Sequence, residues 1–335
     1  MKRWLVTGGL GFIGSCFIRL VLQTRHDVEV VNFDAMTYAA NPENCKAVEH
    51  DARYRFVKGD IADASAVASA IGDGVDAIVN FAAETHVDRS ILNPEHFLRT
   101  DVLGTHVLLE AVRARGVKRF LQVSTDEVYG HVARGESREE DALCPRSPYS
   151  ASKAGGDLQV LAYWTTYGTP VMITRGSNTY GPHQYPEKLI PLFVTNLLDD
   201  QPVPVYGDGL QIRDWLHVED HARAVLHVLE NGEPGNVYNI AGGNARTNLE
   251  ITRALVEHCN RSMETHVRHV TDREGHDRRY ALNCEKLCSL GWSPQVRFEE
   301  GLRQTVEWYR QHEDWWRPLK DGKFAAYYQR QYAHR

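Results

Sequence analysis

A doubly wound parallel α/β sheet of the Rossmann type, with a smaller interleaved C-terminal α/β unit, is the fold this sequence predicts. Three observations predict it. Short apolar runs alternate with longer amphipathic ones through Arg175, a glycine-rich turn joins the first run to the second, and the alternation fades afterwards. Strands that are apolar throughout belong to a parallel sheet covered by helices on both faces. Trp4–Thr7, Val28–Phe33, Arg55–Val57, Ala77–Ala82, Phe120–Ser124 and Val171–Thr174 read as those strands. Ile13–Gln23, Ala64–Ile71, His96–Arg113 and Ala151–Trp164 read as the helices between them.

Beyond Arg175, Asn178–Pro191 is rich in Gly, Pro, Tyr and Asn and reads as an ordered loop. Arg213–Glu230 and Asn236–Ile240 are expected to return to the first layer as a helix and a strand. The expected division is residues 1–175 plus about 212–241 for a cofactor domain, and about 176–211 plus 242–335 for a substrate domain.

Bulk properties narrow the function classes. The 335 residues suffice for a sizeable core, and 42% hydrophobic with 24% charged residues suits a globular chain. A net charge of −6 argues against nucleic-acid binding, which needs a broad basic surface. The six cysteines never form a C-x-x-C pair, so zinc spacing is absent and free thiols in a reducing compartment are expected. His266-x-x-His269 lacks a partnering carboxylate motif, and no metal is expected. No secretory leader is read in Met1-Lys2-Arg3 and no apolar run has membrane-spanning length, so the expected location is cytoplasmic, with no membrane partner.

The turn Thr7-Gly8-Gly9-Leu10-Gly11-Phe12-Ile13-Gly14 spaces its glycines as G-x-x-G-x-x-G between strand and helix. Glycines there allow a tight turn and close approach of backbone amides to a pyrophosphate, whose charge the helix N-terminus favours. Asp34, at the end of the second strand, suits ribose hydroxyls and would repel a 2′-phosphate, which points to NAD rather than NADP. Asp60, after the third strand, is a candidate for the adenine ring.

A reacting centre is expected where the later strands end. Ser124-Thr125-Asp126-Glu127 closes the fifth strand, and Tyr149-x-x-x-Lys153 puts a phenol and an ammonium on one helix face. A cation beside a phenol favours phenolate, so Tyr149 could take a hydroxyl proton while hydride leaves for NAD. A solvated acidic turn is the alternative for Asp126-Glu127. Both carboxyls can reach one substrate only if the strand ends at or before Asp126, since adjacent strand side chains point to opposite faces.

With these residues in place, the chain resembles the extended short-chain dehydrogenases/reductases, and among them the dTDP-glucose 4,6-dehydratases. The likeness covers nearly the whole chain. It runs through Gly8–Gly14, Phe81–Ser90, Ser124–Gly130, Tyr149–Lys153, Arg175–Pro191, Gly207–Ala224 and Arg273–Tyr280. Thr125-Asp126-Glu127 discriminates within the superfamily. Epimerases and decarboxylases lack the acidic pair, CDP-glucose dehydratases carry lysine for the glutamate, and GDP-mannose dehydratases carry Ser-Glu.

The resemblance implies C4 oxidation, elimination of water across C5 and C6, and hydride return to C6. Glu127 would be the base, Asp126 the acid, and Thr125 would help Tyr149 polarise the C4 oxygen. It implies NAD contacts from Gly8, Gly11, Phe12, Ile13, Gly14, Asp34, Ala35, Met36, Thr37, Asp60, Ile61, Phe81, Ala82, Ala83, Thr100, Tyr149 and Lys153. Substrate contacts would come from Thr85, Thr125, Asn178, Lys188, Leu189, Pro204, Tyr206, Arg213, Asn248, Arg273, His276 and Arg278. It further implies a homodimer pairing His96–Arg113 and Ala151–Trp164 in a four-helix interface.

The chain departs from the family pattern at Thr179, where asparagine is usual, and at Met36 and Ala40, where leucine and glycine are. A UDP-glucose 4,6-dehydratase, another nucleotide-sugar epimerase or decarboxylase, and a non-catalytic NAD-binding sensor remain the competing readings.

Overall fold

The computed structural model describes residues 1–320 and 322–332; Asp321 and residues 333–335, which the expected substrate domain includes, lie outside the described residues. The chain begins with β1 (Lys2–Thr7), α1 (Phe12–Thr24), β2 (Val28–Asp34), β3 (Tyr54–Lys58), α2 (Ala64–Ile71) and β4 (Ala77–Asn80). Next come α3 (Val87–Leu92), α4 (Pro94–Phe97), a π-helical stretch at Leu98–Gly104, α5 (Thr105–Arg115) and β5 (Arg119–Thr125). A 3-10 turn at Asp126–Tyr129 leads to α6 (Pro148–Tyr167) and β6 (Val171–Gly176).

The seven-stranded parallel sheet has the order β10-β6-β5-β4-β1-β2-β3, where β10 is Val237–Ile240. The chain winds outward from β1 to β3, then returns past β1 to β4, which opens a crevice at the carboxyl ends of β1 and β4. Neighbouring residues of β1 enter different cores. Leu5 packs with Val67, Leu108, Val112 and Val160 under α2, α5 and α6. Val6 packs with Phe17, Val21, Val225 and Leu229 on the opposite face. Burial on both faces is why these strands read as apolar throughout.

The remaining elements are β7 (Asn178–Tyr180), α7 (Leu189–Leu198), β8 (Val203–Tyr206), β9 (Ile212–His217), α8 (Val218–Asn231), β11 (Ala245–Thr247), α9 (Asn248–His258), α10 (Met263–His266) and β12 (Val267–Val270). Helices α11 (Glu285–Ser289), α12 (Phe298–Gln311), α13 (Glu313–Trp316) and α14 (Gly322–Tyr332) complete the chain. Helix α8 and strand β10 join the large sheet as expected, whereas β9 pairs with β7 and β11 in a sheet of its own. The expected loop at Asn178–Pro191 contains β7 and the start of α7. A third core of Phe193, Leu197, Val205, Leu255, Leu302, Tyr309 and Trp316 holds this second unit.

One buried ion pair ties the reacting strand end to its surroundings. Arg175 of β6 donates to Asp157 of α6 (2.8 Å) and to the Tyr129 hydroxyl (2.7 Å), which donates to Asn239 of β10 (2.9 Å). Both charges are buried. Arg175→Ala leaves Asp157 charged and unpaired, so chemical denaturation is expected to show a loss of about 3–5 kcal/mol. Arg175→Met with Asp157→Leu, which removes both charges, should cost clearly less.

Candidate active site

A cavity of about 320 Å³ opens at the carboxyl ends of the central strands. The glycine turn forms its floor. Gly8 has φ +66°, and a Cβ there would stand 2.6 Å from the Ala82 nitrogen; one on Gly14 would collide with the Gly8 carbonyl. Helix α1 follows with no side-chain cap and no acidic residue in its first turn, so its first amides and positive end are left for an anion. Asp34 accepts from the amides of Leu10 (3.0 Å) and Met36 (2.7 Å), and burial pushes its carboxyl up. Each of its oxygens retains a lone pair for a ribose hydroxyl. These residues fit a dinucleotide.

Every expected cofactor residue except Met36 lines this cavity. The Met36 side chain is exposed and its backbone is left-handed (φ +57°), so its contribution is the amide that orients Asp34. Asp60 accepts from the Ala62 amide (2.8 Å) and pairs with Arg99 (3.3 Å).

At the reacting end, β5 stops at Thr125 and the 3-10 turn begins at Asp126, which satisfies the requirement for two adjacent carboxyls on one side. The Thr125 hydroxyl accepts from the Glu127 amide (3.2 Å) and donates to Asp126 Oδ1 (3.1 Å). Asp126 Oδ2 is buried without a partner. Burial first, then the neighbouring Glu127 charge, push Asp126 up to about 8, so it holds its proton at neutral pH.

Lys153 is buried on α6 and donates to the Val123 carbonyl (2.9 Å). Tyr149, one turn earlier, departs from expectation. Burial, then Glu127 and Asp101, push its phenol well above the ordinary range, while Thr125 pulls it down. Lys153 alone does not reverse that.

A second cavity of about 150 Å³ continues from the first, and Glu127, Asn178, Glu187 and Lys188 line both. Three cations surround it. Lys188 donates to the Thr85 carbonyl. Buried Arg213 donates to the Ile212 (2.8 Å) and Asp277 (2.9 Å) carbonyls and lies 4.2 Å over the Tyr280 ring. Arg273 lies 4.0 Å from Asp88, with its Nε buried and unpartnered. Such a wall suits phosphate oxygens.

Leu189, Pro204 and Tyr206 supply apolar surface, and Asn248 Oδ1 is buried without a partner. His276 contacts Asp272 (2.6 Å) and meets Tyr206 edge-on (6.1 Å), and burial with Arg273 pushes it down, so it is neutral. Thr85 lines the first cavity. Arg278 lies outside both, exposed and held by the two oxygens of Asp208 at 2.7 and 3.0 Å.

Sequence reasoning missed Glu187. It lines both cavities, is buried, and pairs with Arg89 (2.8 Å), whose guanidinium is sandwiched by Tyr38 (3.7 Å) and Tyr327 (4.3 Å). Its position directly before Lys188 was the available signal. Tyr332 of α14 in the second cavity and Asp101, bound to Ser152, were also missed. Among the described residues no group of His, Cys, Asp and Glu could hold a metal.

Comparison with known proteins finds relatives over nearly the whole chain. Residues 5–305 match the family model described as GDP-mannose 4,6 dehydratase. A dTDP-glucose 4,6-dehydratase of Streptomyces niveus is 50% identical, with 97% of each chain covered. A solved dTDP-glucose 4,6-dehydratase of Streptomyces venezuelae with NAD and dTDP bound is 51% identical over 95% of this chain and 100% of that one, with a TM-score of 0.93. The Bacillus anthracis dTDP-glucose 4,6-dehydratase, solved with NAD, is 47% identical over 96% of this chain and 100% of that one, with a TM-score of 0.89. Asp34→Ala removes a charged acceptor and is expected to weaken NAD binding about 10- to 100-fold in titration calorimetry, at the usual strength of hydrogen bonds to a charged group.

Proposed function

This chain belongs to the family of dTDP-glucose 4,6-dehydratases, NAD-dependent hydro-lyases of nucleotide sugars, and we propose that the residues joining its two cavities carry out that conversion. The single observation carrying the reading is the pair of adjacent carboxyls at the end of β5, buried Asp126 and Glu127, of which Glu127 lines both cavities. Bound NAD supplies the hydride acceptor for C4 and the donor for C6. The glycine turn and Asp34 hold it, and Arg213, Arg273 and Lys188 hold the substrate diphosphate.

Tyr149 takes the C4 hydroxyl proton, with Thr125 hydrogen-bonded to the same oxygen. Burial and neighbouring carboxyls oppose the phenolate, so the pull would have to come from Lys153 and, when bound, the cationic ring of the oxidised cofactor. The new ketone acidifies C5, and Glu127 removes the C5 proton. Asp126 protonates the departing C6 hydroxyl, which leaves as water. Glu127 then returns its proton to C5 as hydride reaches C6. The net proton in the water is the one Tyr149 took from C4, so solvent exchange between Tyr149 and Asp126 resets the site. Asp126, holding its proton beside a second carboxyl, suits the acid's part in this division.

We further propose a homodimer. Leu98 and Leu103 near α5, with Leu158, Trp164 and Tyr167 on α6, are exposed apolar side chains on the two helices expected to pair. Leu98→Glu with Leu158→Glu should shift the mass in light scattering from dimer to monomer. A cytoplasmic setting is supported by the six cysteines, all of them free; among the described residues no helix is long and apolar enough to cross a membrane.

The deciding experiment incubates the protein separately with dTDP-glucose and UDP-glucose and follows products by mass spectrometry. Loss of one water is expected to run well ahead with dTDP-glucose. The thymine methyl contributes only about 1–3 kcal/mol of discrimination, so equal use of both would withdraw thymidine and keep the dehydration. In the same assay Glu127→Gln is expected to reduce bound NAD yet lose no water, leaving a 4-keto-glucose nucleotide. Normal turnover by that variant would sink the base assignment.

A further inference from the structure

Asp101 is a buried carboxylate that the reaction described above leaves unused. It lies in the π-helical stretch Leu98–Gly104, a wide turn of a kind concentrated at functional sites. Its Oδ1 accepts from the Glu84 amide (3.0 Å) and its Oδ2 from the Ser152 hydroxyl (2.6 Å). Glu84 continues the Phe81–Ala83 wall of the cofactor cavity, Thr100 lines that cavity beside it, and Ser152 adjoins Lys153. Helix α6 is pressed onto this stretch: a Cβ on Gly156 would stand 2.7 Å from the Asp101 carbonyl oxygen.

We propose that Asp101 is a positioning residue for the oxidation step, fastening the cofactor wall to α6 and supplying the buried negative charge that offsets Lys153 beside Tyr149. The proposal rests on Tyr149 taking the C4 hydroxyl proton. Burial pushes the Asp101 carboxyl up to about 6, against the pull of Lys153, Ser152 and the Glu84 amide, so it is charged at neutral pH. The titratable groups facing this corner are Lys153 and Tyr149 from α6, Glu84 from the loop after β4, and Asp126 and Glu127 from the 3-10 turn. Arg99, on the same stretch, is engaged outward with Asp60. Of the three carboxyls acting on Tyr149, Glu127 and Asp126 exchange protons in the reaction, which leaves Asp101 as the one that does not.

The test is single-turnover reduction of bound NAD by dTDP-glucose, followed by NADH absorbance across pH in the holoenzyme. Oxidation rises with pH as Tyr149 becomes able to accept a proton. Asp101→Asn keeps the shape and removes the charge, so phenolate forms more easily. The midpoint of the rising limb should move to lower pH by about one unit, with the substrate KM unchanged. Ser152→Ala removes a hydrogen bond that lowers Asp101, yet at the higher pH where Tyr149 titrates the carboxylate stays charged, so its limb should stay at the wild-type position. If Asp101→Asn does not fold, Asp101→Ser leaves room for water between the Glu84 amide and Ser152 and is read the same way. An unmoved limb in the charge-free variant, or an equal shift in Ser152→Ala, overturns the proposal. Tyr149→Phe separates the two readings: wild-type oxidation in that variant removes Tyr149 from its role, whereas slow oxidation with an unmoved Asp101→Asn limb removes Asp101 alone.

Discussion

Two carboxyl groups in one buried corner resist ionising together, and the site is arranged around that constraint. Asp126 is the more deeply buried of the pair, with one oxygen unpartnered, and it holds its proton. Glu127 reaches the junction between the cavities, where positive charge from Lys188, Arg213 and Arg273 stands opposite. Two adjacent carboxyls therefore stand in different surroundings, one buried and one facing the cations of the second cavity.

That difference needs a backbone that stops being a strand at the right residue. Thr125 ends β5 and caps the 3-10 turn through its hydroxyl, so Asp126 and Glu127 leave the alternation that would send them to opposite faces. The far end of the turn is fixed as well. Tyr129 is held by Arg175 and Asn239, and a Cβ on Gly130, which has φ +73°, would collide with the Cys144 carbonyl. A buried ion pair is a costly way to hold a turn, but it fixes orientation as an apolar contact would not.

The large sheet was legible because each strand carries its own signal: Leu5 and Val6 enter different cores, and both must be apolar. The cofactor site was legible for a similar reason, since the glycine turn is local and its geometry allows little else. The second unit was harder to read. Its strands are three to six residues long and pair in mixed directions, too short for a period to emerge. The arginines expected to meet substrate show the same limit. Arg273 and Arg278 stand five positions apart, yet one turns into the cavity while the other is exposed on Asp208, and nothing local separates them. Glu187 and Asp101 escaped because their meaning lies in distant partners. Arg89 pairs with Glu187 across 98 residues, and Ser152 binds Asp101 across 51.

The Arg89 pairing shows how separate parts of the chain are held together at the cavities. Arg89 rests on Tyr38, in the segment that follows Asp34, and on Tyr327 of α14, while its Nε bonds Glu187. One guanidinium thus joins the segment after β2, the loop that lines both cavities and α14. Glu187 is buried, and a buried carboxylate stripped of its partner costs several kcal/mol. Displacing the Glu187 loop away from Arg89 strands that charge, whereas displacing Tyr38 or Tyr327 uncovers the guanidinium and leaves the ion pair in place. The ion pair thereby fixes the one acidic side chain besides Glu127 that, among the described residues, lines both cavities, and it does so from a residue that lines neither.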